Sequence, residues 1–398
     1  MMIREKLEKL YDIGSSKRVF QSEWRSEGVP FYRAREIAKL AIDDYVDNEL
    51  FIDEELYDSY VEKYGKPQPG DIMVTGVGTL GVCYIVKPDD KFYFKDGNIL
   101  WFKQKAPDRI LPEYLVKLFD SNDVREFISR NSSGTTVGTF TIQTAKKLEI
   151  NLPSLGEQKR IIQKLAKIEN IINNRKRELV LLDDCIKARF VEMFGDPVSN
   201  SLNQPILAMT DVCEIIDGDR GVNYPKQEDF YNDEYCLFLN AKNVTKKGFD
   251  FSECMFITKE KDEQLRKGKL KRGDVVLTTR GTLGNIAFYT KDIPFDNVRI
   301  NSGMVILRLN RDIIDETFFI EQFRMQVDSI KTFVASGSAQ PQLPISTMNK
   351  IKVLMPDLEL QKQYSQIIEQ INKSKVAIQK SLAETQLLFD KLMQDYFG

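Results

Sequence analysis

The 398-residue sequence contains no histidine. That excludes a Ser-His-Asp or Cys-His nucleophile system and any metal site built on imidazole. Cysteine is scarce as well. Cys83, Cys185, Cys213, Cys236 and Cys254 make an odd count of five, with no C-x-x-C spacing. This predicts reduced thiols in a reducing cytoplasm, not a disulfide frame or a zinc site. No apolar run approaches 18 residues and no signal-peptide pattern is present, so the expectation is a cytoplasmic protein with no membrane partner. An excess of one charge is missing too: 57 Lys and Arg stand against 59 Asp and Glu, for a formal net charge of −2. Nucleic-acid binders commonly carry a basic excess, so phosphate contacts here would have to come from local patches. The many acidic residues form no pair in a context suited to general acid–base chemistry and read as solvated surface.

Two motif classes are also absent. There is no Walker A sequence and no Asn/Asp-Pro-Pro-Tyr/Phe motif of an amino-methyltransferase. A literal G-x-G-x-x-G does occur at Gly76–Gly81. A dinucleotide fold requires a helix to open at its last glycine, but Val82-Cys83-Tyr84-Ile85-Val86 follows, a strand pattern. A turn between two strands accounts for it. The chain is therefore expected to carry no catalytic residue, no metal and no cofactor of its own.

What the sequence has in abundance is itself. Gly70-Asp71-Ile72-Met73-Val74-Thr75 returns 203 positions later as Gly273-Asp274-Val275-Val276-Leu277-Thr278. Gly78-Thr79-Leu80-Gly81 returns as Gly281-Thr282-Leu283-Gly284, Pro153 as Pro356, Gln158-Lys159 as Gln361-Lys362, and Phe194-Gly195 as Phe397-Gly398. A constant offset over this length means two copies of one unit, and duplicated units favour an approximate two-fold axis.

Each copy divides into a strand-rich globule and a long helix. Segments such as Asp71–Tyr84 and Asp274–Tyr289 are β-branched and aromatic, interrupted by glycine. The first helix is announced by Ser154-Leu155-Gly156-Glu157, a capping box, and closed by Gly195 and Pro197. Leu165, Ile168, Ile172, Leu179, Leu182 and Ile186 then follow coiled-coil spacing, interrupted by Arg175 and Arg189. The second helix repeats the stripe with Ile368, Ile371, Ile378, Leu382, Phe389 and Leu392, interrupted by Lys375 and Thr385. Its cap, Asp357-Leu358-Glu359-Leu360, lacks the box glutamate. Each stripe alone would lie in water, and pairing the helices removes it at about 25 cal/mol per Å². Antiparallel pairing spares the chain a return path of about 60 Å. The expected fold is α+β: two strand-rich globules in tandem, each followed by a long helix, the helices forming an antiparallel coiled coil with pseudo-two-fold symmetry. The expected boundaries are 1–152, 153–196, 197–355 and 356–398.

The order of these signals, found twice, resembles the specificity subunits of type I restriction–modification systems. The signals are an apolar segment with a polar pair (Val29–Ile37, Leu237–Val244), the Gly-Asp strand with its Gly-Thr-Leu-Gly turn, a Ser-Gly loop, a Leu-Pro or Met-Pro step, and a Gln-Lys helix start. The early part of the second copy aligns at an offset of 207, as in Phe31/Phe238 and Ala34/Ala241.

The resemblance implies that each globule is a target recognition domain reading one half of a bipartite, asymmetric site in double-stranded DNA. It implies a non-catalytic chain whose paired helices set spacing and dock two methylation subunits carrying S-adenosylmethionine. Two restriction subunits using ATP and Mg could join them. Candidate DNA-binding residues are Arg33, Arg35, Thr79, Arg130, Asn131, Ser132, Ser133, Thr135 and Thr136 in the first copy. In the second they are Asn240, Lys242, Arg280, Thr282, Ser338, Gln340 and Gln342. Two readings from other classes stay open: an enzyme holding a nucleotide at Gly76–Gly81, and a coiled-coil adaptor for protein partners.

Overall fold

The computed structural model describes residues 3–132, 138–335 and 342–398. They form two compact units, Met1–Lys176 with Lys380–Gly398, and Arg177–Gln379. The divisions fall inside the long helices, so each unit contains one globule, the start of one helix and the end of the other. The last strands of the strand-rich parts end at Leu152 and Leu354, and the long helices span Leu155–Phe194 and Leu358–Phe397.

In the first unit β1 (Ile3–Lys6), β2 (Tyr11–Gly14), β3 (Val29–Tyr32), β4 (Phe51–Ile52), β5 (Ile72–Thr75), β6 (Cys83–Ile85), β7 (Tyr93–Phe94), β8 (Ile99–Gln104) and β9 (Glu149–Leu152) make three sheets. An antiparallel sheet runs β2-β8-β5-β6, a smaller one runs β4-β3-β7, and β1 pairs with β9. All four residues of β5 are buried. Ile72 and Val74 face one core, with the helices Pro112–Phe119 and Asn122–Asn131, while Met73 faces another, with Phe94 and Trp101. A strand covered on both faces loses its polar alternation, which is why the Gly-Asp segment reads as a continuous apolar run.

The second unit repeats this plan. Its strands are β10 (Ile206–Ala208), β11 (Cys213–Asp217), β12 (Cys236–Leu239), β13 (Val244–Thr245), β14 (Gly248–Phe249), β15 (Phe256–Ile257), β16 (Val275–Thr278), β17 (Ile286–Phe288), β18 (Val298–Ile300), β19 (Met304–Leu309) and β20 (Lys352–Leu354). The sheets run β11-β19-β16-β17 and β15-β12-β18, with pairs β10-β20 and β13-β14. Val275 and Leu277 face one core and Val276 the other. The aspartate of each Gly-Asp repeat ties its hairpin to the neighbouring strand. Asp71 accepts from Trp101 Nε1 (2.8 Å) and Gln104 N (3.0 Å). Asp274 accepts two bonds from the Arg308 guanidinium, at 2.9 and 2.8 Å.

The repeated glutamine is a clamp. Gln158 is fully buried: its Oε1 accepts from Leu111 N (2.8 Å), and its Nε2 donates to Arg109 O (2.7 Å) and Pro153 O (2.9 Å). Gln361 does the same in the second unit, accepting from Asp315 N (2.9 Å) and donating to Pro356 O (2.8 Å) and Ile313 O (3.4 Å). The cap of the first helix is half of the predicted box. Ser154 Oγ accepts from Glu157 N, but the Glu157 carboxylate turns to Arg160 instead of back to Ser154. At the second helix Asp357 Oδ1 accepts from Glu359 N (2.9 Å).

Within each unit the helix segments pack antiparallel. In the first, Leu165 shares a core with Met393 and Phe397, Lys164 Nζ donates to Tyr396 OH, and Arg175 donates to Ser381 O and Thr385 Oγ1. In the second, Tyr364 lies edge-on to Phe190 and Phe194, and Lys375 pairs with Asp183. The polar interruptions Arg175, Thr385 and Lys375 are thus partnered inside the seam.

Of the predicted seam, Leu165, Ile168, Ile172, Ile186 and Ile368 are buried. Leu179, Leu182, Ile371, Ile378, Leu382, Phe389 and Leu392 are half-buried. The deeper contacts are Ile161, Phe190, Phe194, Tyr364, Met393 and Phe397, which the heptad pattern does not single out. They sit where the helix ends enter a globule. Phe397 packs tilted against Tyr114 with ring centroids 5.3 Å apart, and Phe194 lies edge-on to Phe318 at 4.8 Å. Gly195 follows at a positive φ of 83°, where a Cβ would also meet Leu202 N at 2.9 Å, so the helix stops there.

One buried ionic cluster distinguishes the second unit. Asp262 accepts from Arg299 Nε and Lys269 Nζ, both at 2.5 Å, and Arg299 also donates to Lys267 O and Asp262 O. Burial works to raise the Asp262 pKa, but the bonds from Lys269 and Arg299 outweigh it and hold the carboxyl below its ordinary value.

Two predictions follow from these bonds. Gln158→Leu removes the partners of Leu111 N, Arg109 O and the buried Pro153 O, the last alone worth about 1–3 kcal/mol. It is expected to raise amide exchange around Leu111 and the start of the first helix while leaving the second unit protected, with Gln361→Leu doing the converse. A carboxylate whose folded pKa is depressed contributes stability above its unfolded pKa of about 3.9, and that contribution is lost as pH falls through the folded value. Asp262→Asn is therefore expected to cost about 3–5 kcal/mol near neutrality. Its deficit against the parent should shrink as acid denaturation curves are taken below about pH 4.

Candidate nucleic-acid interface

The Gly-rich segments are hairpin turns. In the first unit the turn joins β5 to β6, with Val74 opposite Cys83, and a strand, not a helix, follows its last glycine. Gly78 and Gly81 take positive φ, and a Cβ on Gly81 would meet Ile128 Cδ1 at 2.7 Å. In the second, a Cβ on Gly284 would meet Val327 at 2.2 Å. These turns thus press closely on a helix. Thr75 Oγ1 donates to Thr79 O and accepts from Val82 N, and Thr278 bonds Thr282 O and Asn285 N in the same way. Thr79 and Thr282 are left exposed at the tips.

The predicted polar pairs follow the small sheets. Arg33 and Arg35 both bond Glu36, which is buried, and both pair with Glu49. Burial alone would raise the Glu36 pKa, yet the bonds from Arg33 and Arg35 hold it below its ordinary value. At the matching place in the second unit Asn240 caps a short turn by accepting from Lys242 N, and Asn240 N donates to the buried Asn243. Lys242 pairs with Glu253.

Arg130 and Asn131 lie in the last turn of the helix Asn122–Asn131, not in a loop, and Ser132 caps it. Arg130 pairs with Glu126, Asn131 Nδ2 donates to Phe127 O, and Ser132 Oγ donates to Ser129 O. Ser133, Thr135, Thr136, Ser338 and Gln340 lie outside the described residues. Gln342 is exposed, next to Leu343, whose N donates to Thr279 O. The structure thereby brings Gln342, Arg280 and Thr282 to one hairpin.

Arg280 differs from the other candidate cations. It is exposed and, among the described residues, has no hydrogen bond or ion pair. Beside it lie cations the sequence reading missed. Arg220 Nη2 donates to Ser302 O (3.2 Å), next to Gly303, where an added Cβ would lie 3.8 Å from Arg280 Cβ. Arg266 and Lys267 flank the same loops, bonded through their backbones to Asp219. No repeat signal marked them, since they belong to segments in which the copies diverge. The equivalent hairpin of the first unit has Val77 in place of Arg280.

The helices also leave apolar side chains in water. Ile171, Leu387 and Leu388 are exposed in the first unit, and Val180, Leu181, Val191 and Val376 in the second. No helix of the described residues is long and apolar enough to cross a membrane.

Comparison with known proteins is consistent with this architecture. A family model described as the type I restriction modification DNA specificity domain matches residues 5–181 and again 206–385. A putative type I restriction enzyme specificity subunit of Haemophilus influenzae is 30% identical over 191 residues, 46% of this chain and 46% of that protein, so this match spans under half of either. The EcoBI specificity subunit of Escherichia coli is 24% identical over 390 residues, covering 90% of this chain and 76% of the relative. The type I S subunit of M. genitalium shares the fold, with a TM-score of 0.57 at 16% identity, over 100% of this chain and 96% of that one. A chain solved in work on complex assembly and conformational transition of a type I system gives a TM-score of 0.62 at 16% identity, over 100% and 97%. With two copies of the domain across most of its length, the chain belongs to the type I restriction–modification specificity subunits.

Proposed function

We propose that each globule reads one half of a bipartite, asymmetric site in duplex DNA, and that the paired helices set the distance between the halves and dock two methylation subunits. The observation that carries this reading is the duplication of one device. Each unit presents the same hairpin turn and starts its helix from the same buried glutamine. Like docking surfaces on one duplex accept like modules in equivalent orientations. The segments around the hairpins differ between units, as with Val77 against Arg280, so the half-sites differ.

The exposed apolar side chains of the helices supply the docking surface for the methylation subunits. The chain itself is non-catalytic. S-adenosylmethionine belongs to the methylation subunits, ATP and Mg to two restriction subunits where these join, and the assembly works in the cytoplasm. The hairpin geometry at Gly76–Gly81 favours no nucleotide there, since the turn runs into β6 instead of opening a helix.

Methylome sequencing of a host with and without this chain is expected to show one bipartite motif that disappears with it. Methylation or cleavage of DNA by the purified chain alone would refute the scaffold role. Matched four-residue insertions after Lys176 and after Ala383 add about 6 Å of helix as a tolerated stutter. Both half-sites are expected to survive with more base pairs between them, and an unchanged spacing would show that the helices do not set it.

A further inference from the structure

Four pieces of the second unit converge on one exposed patch: residues 218–224, 265–268 and 301–303, and the hairpin turn after Thr278. Their backbones touch. A Cβ on Gly218 would lie 2.2 Å from Asn301 O, and one on Gly268 would lie 3.3 Å from Gly218 Cα. The buried Asp219 carboxylate fastens two of them, accepting from Gly221 N (2.6 Å), Arg266 N (2.7 Å) and Lys267 N (3.3 Å). Arg220 fastens the third, donating to Asp217 (3.1 Å) and Ser302 O (3.2 Å).

This scaffold leaves its side chains facing water. Arg266, Lys267 and Arg280 are exposed, and none has a side-chain ion-pair partner among the described residues. Between them the loop turns back, Tyr224 N donating to Gly221 O (3.0 Å), and its tip carries Val222, which is 99% exposed. A branched apolar side chain thus stands fully in water at the tip of a braced loop, with the Arg266 guanidinium beside the neighbouring Gly221 and the exposed Lys267 and Arg280 on the adjoining segments. Exposed cations match phosphates, which position a protein on a duplex, while apolar side chains in a groove match the thymine methyl group.

We infer that this patch is the DNA-contacting surface of the second unit, with Arg266, Lys267 and Arg280 on phosphates and Val222 against a thymine methyl as a base-reading contact. The inference rests on the DNA-reading role proposed above and specifies which surface performs it.

The test uses the complex of the full chain with its methylation subunits, bound to a duplex carrying its own methylated motif and to random duplex. Arg266→Gln, Lys267→Gln and Arg280→Gln are each expected to weaken both duplexes by a similar factor and to reduce the salt slope by about one. Replacing one thymine of the motif by deoxyuridine removes only the methyl. It is expected to weaken the parent about fourfold, the worth of one buried methyl-sized group, and to leave Val222→Gly unaffected. The sensitive thymine should lie in one half-site, with preference in the other half unchanged. Unaltered salt slopes in all three charge variants, or a Val222→Gly complex that keeps the parent's full deoxyuridine sensitivity, would overturn the assignment while leaving the DNA-reading role intact. A parent complex that binds no DNA would overturn both.

Discussion

An amide side chain cut off from water must find a partner for each of its polar groups, and Gln158 and Gln361 do so with backbone from two other segments. Each thereby fixes where and at what angle a 40-residue helix leaves its globule. Everything farther along depends on that angle. If the helix start could pivot, the stripe from Leu165 onward would not meet Met393 and Phe397, and the end of the other helix would lose its seat against Tyr114. Hydrophobic contact along the seam is worth more in total but is indifferent to direction. The glutamine bonds supply the direction.

The same plan is stabilised differently in the two units. Phe31 pairs with Tyr93 in the parallel ladder of the first small sheet, and Phe238 with Arg299 in the second. The position therefore holds a tyrosine in one copy and an arginine in the other. The first unit surrounds it with Phe31, Tyr57 and Ile52. The second answers the charge with Asp262, which Lys269 also pairs, and satisfies the rest of the guanidinium with carbonyls. Arg33 and Asn240 show a related change: Glu36 and Asn243 accept from the backbone N–H at matching places, yet only the first unit adds two arginines to it.

Much of this was legible because duplication marks positions that cannot vary. The Gly-Asp strand, the hairpin glycines, the Gln-Lys start and the Phe-Gly end recur at a fixed offset, and each proves to be a bond or a close approach. The direction of helix pairing followed from chain length alone. The heptad pattern failed at the helix ends, because Phe190 and Phe194 pack on Phe318 of the globule as well as on Tyr364 of the other helix and so follow no seven-residue rule. The interface was less legible still. Arg33, Arg35 and Lys242 look free in the sequence but are tied to glutamates. Arg220 lies far from Arg266 and Lys267 in the chain, and only loop geometry joins them.

That geometry also resolves the tension between a net charge of −2 and a polyanionic ligand. At physiological ionic strength a phosphate senses charge over about 8 Å, so the whole-chain balance has little bearing on it. What matters is which cations near the contact are already neutralised. Most candidate cations of the first unit spend their charge on Glu36, Glu49 and Glu126. In the second, Asp219 hydrogen-bonds Arg266 and Lys267 only through their backbone N–H groups, and although the Arg266 guanidinium attracts the carboxylate as well, neither side chain is ion-paired among the described residues. A carboxylate that bonds the main chain beside two cations organises a basic surface without cancelling it, and a nearly neutral protein can in this way present a locally positive face.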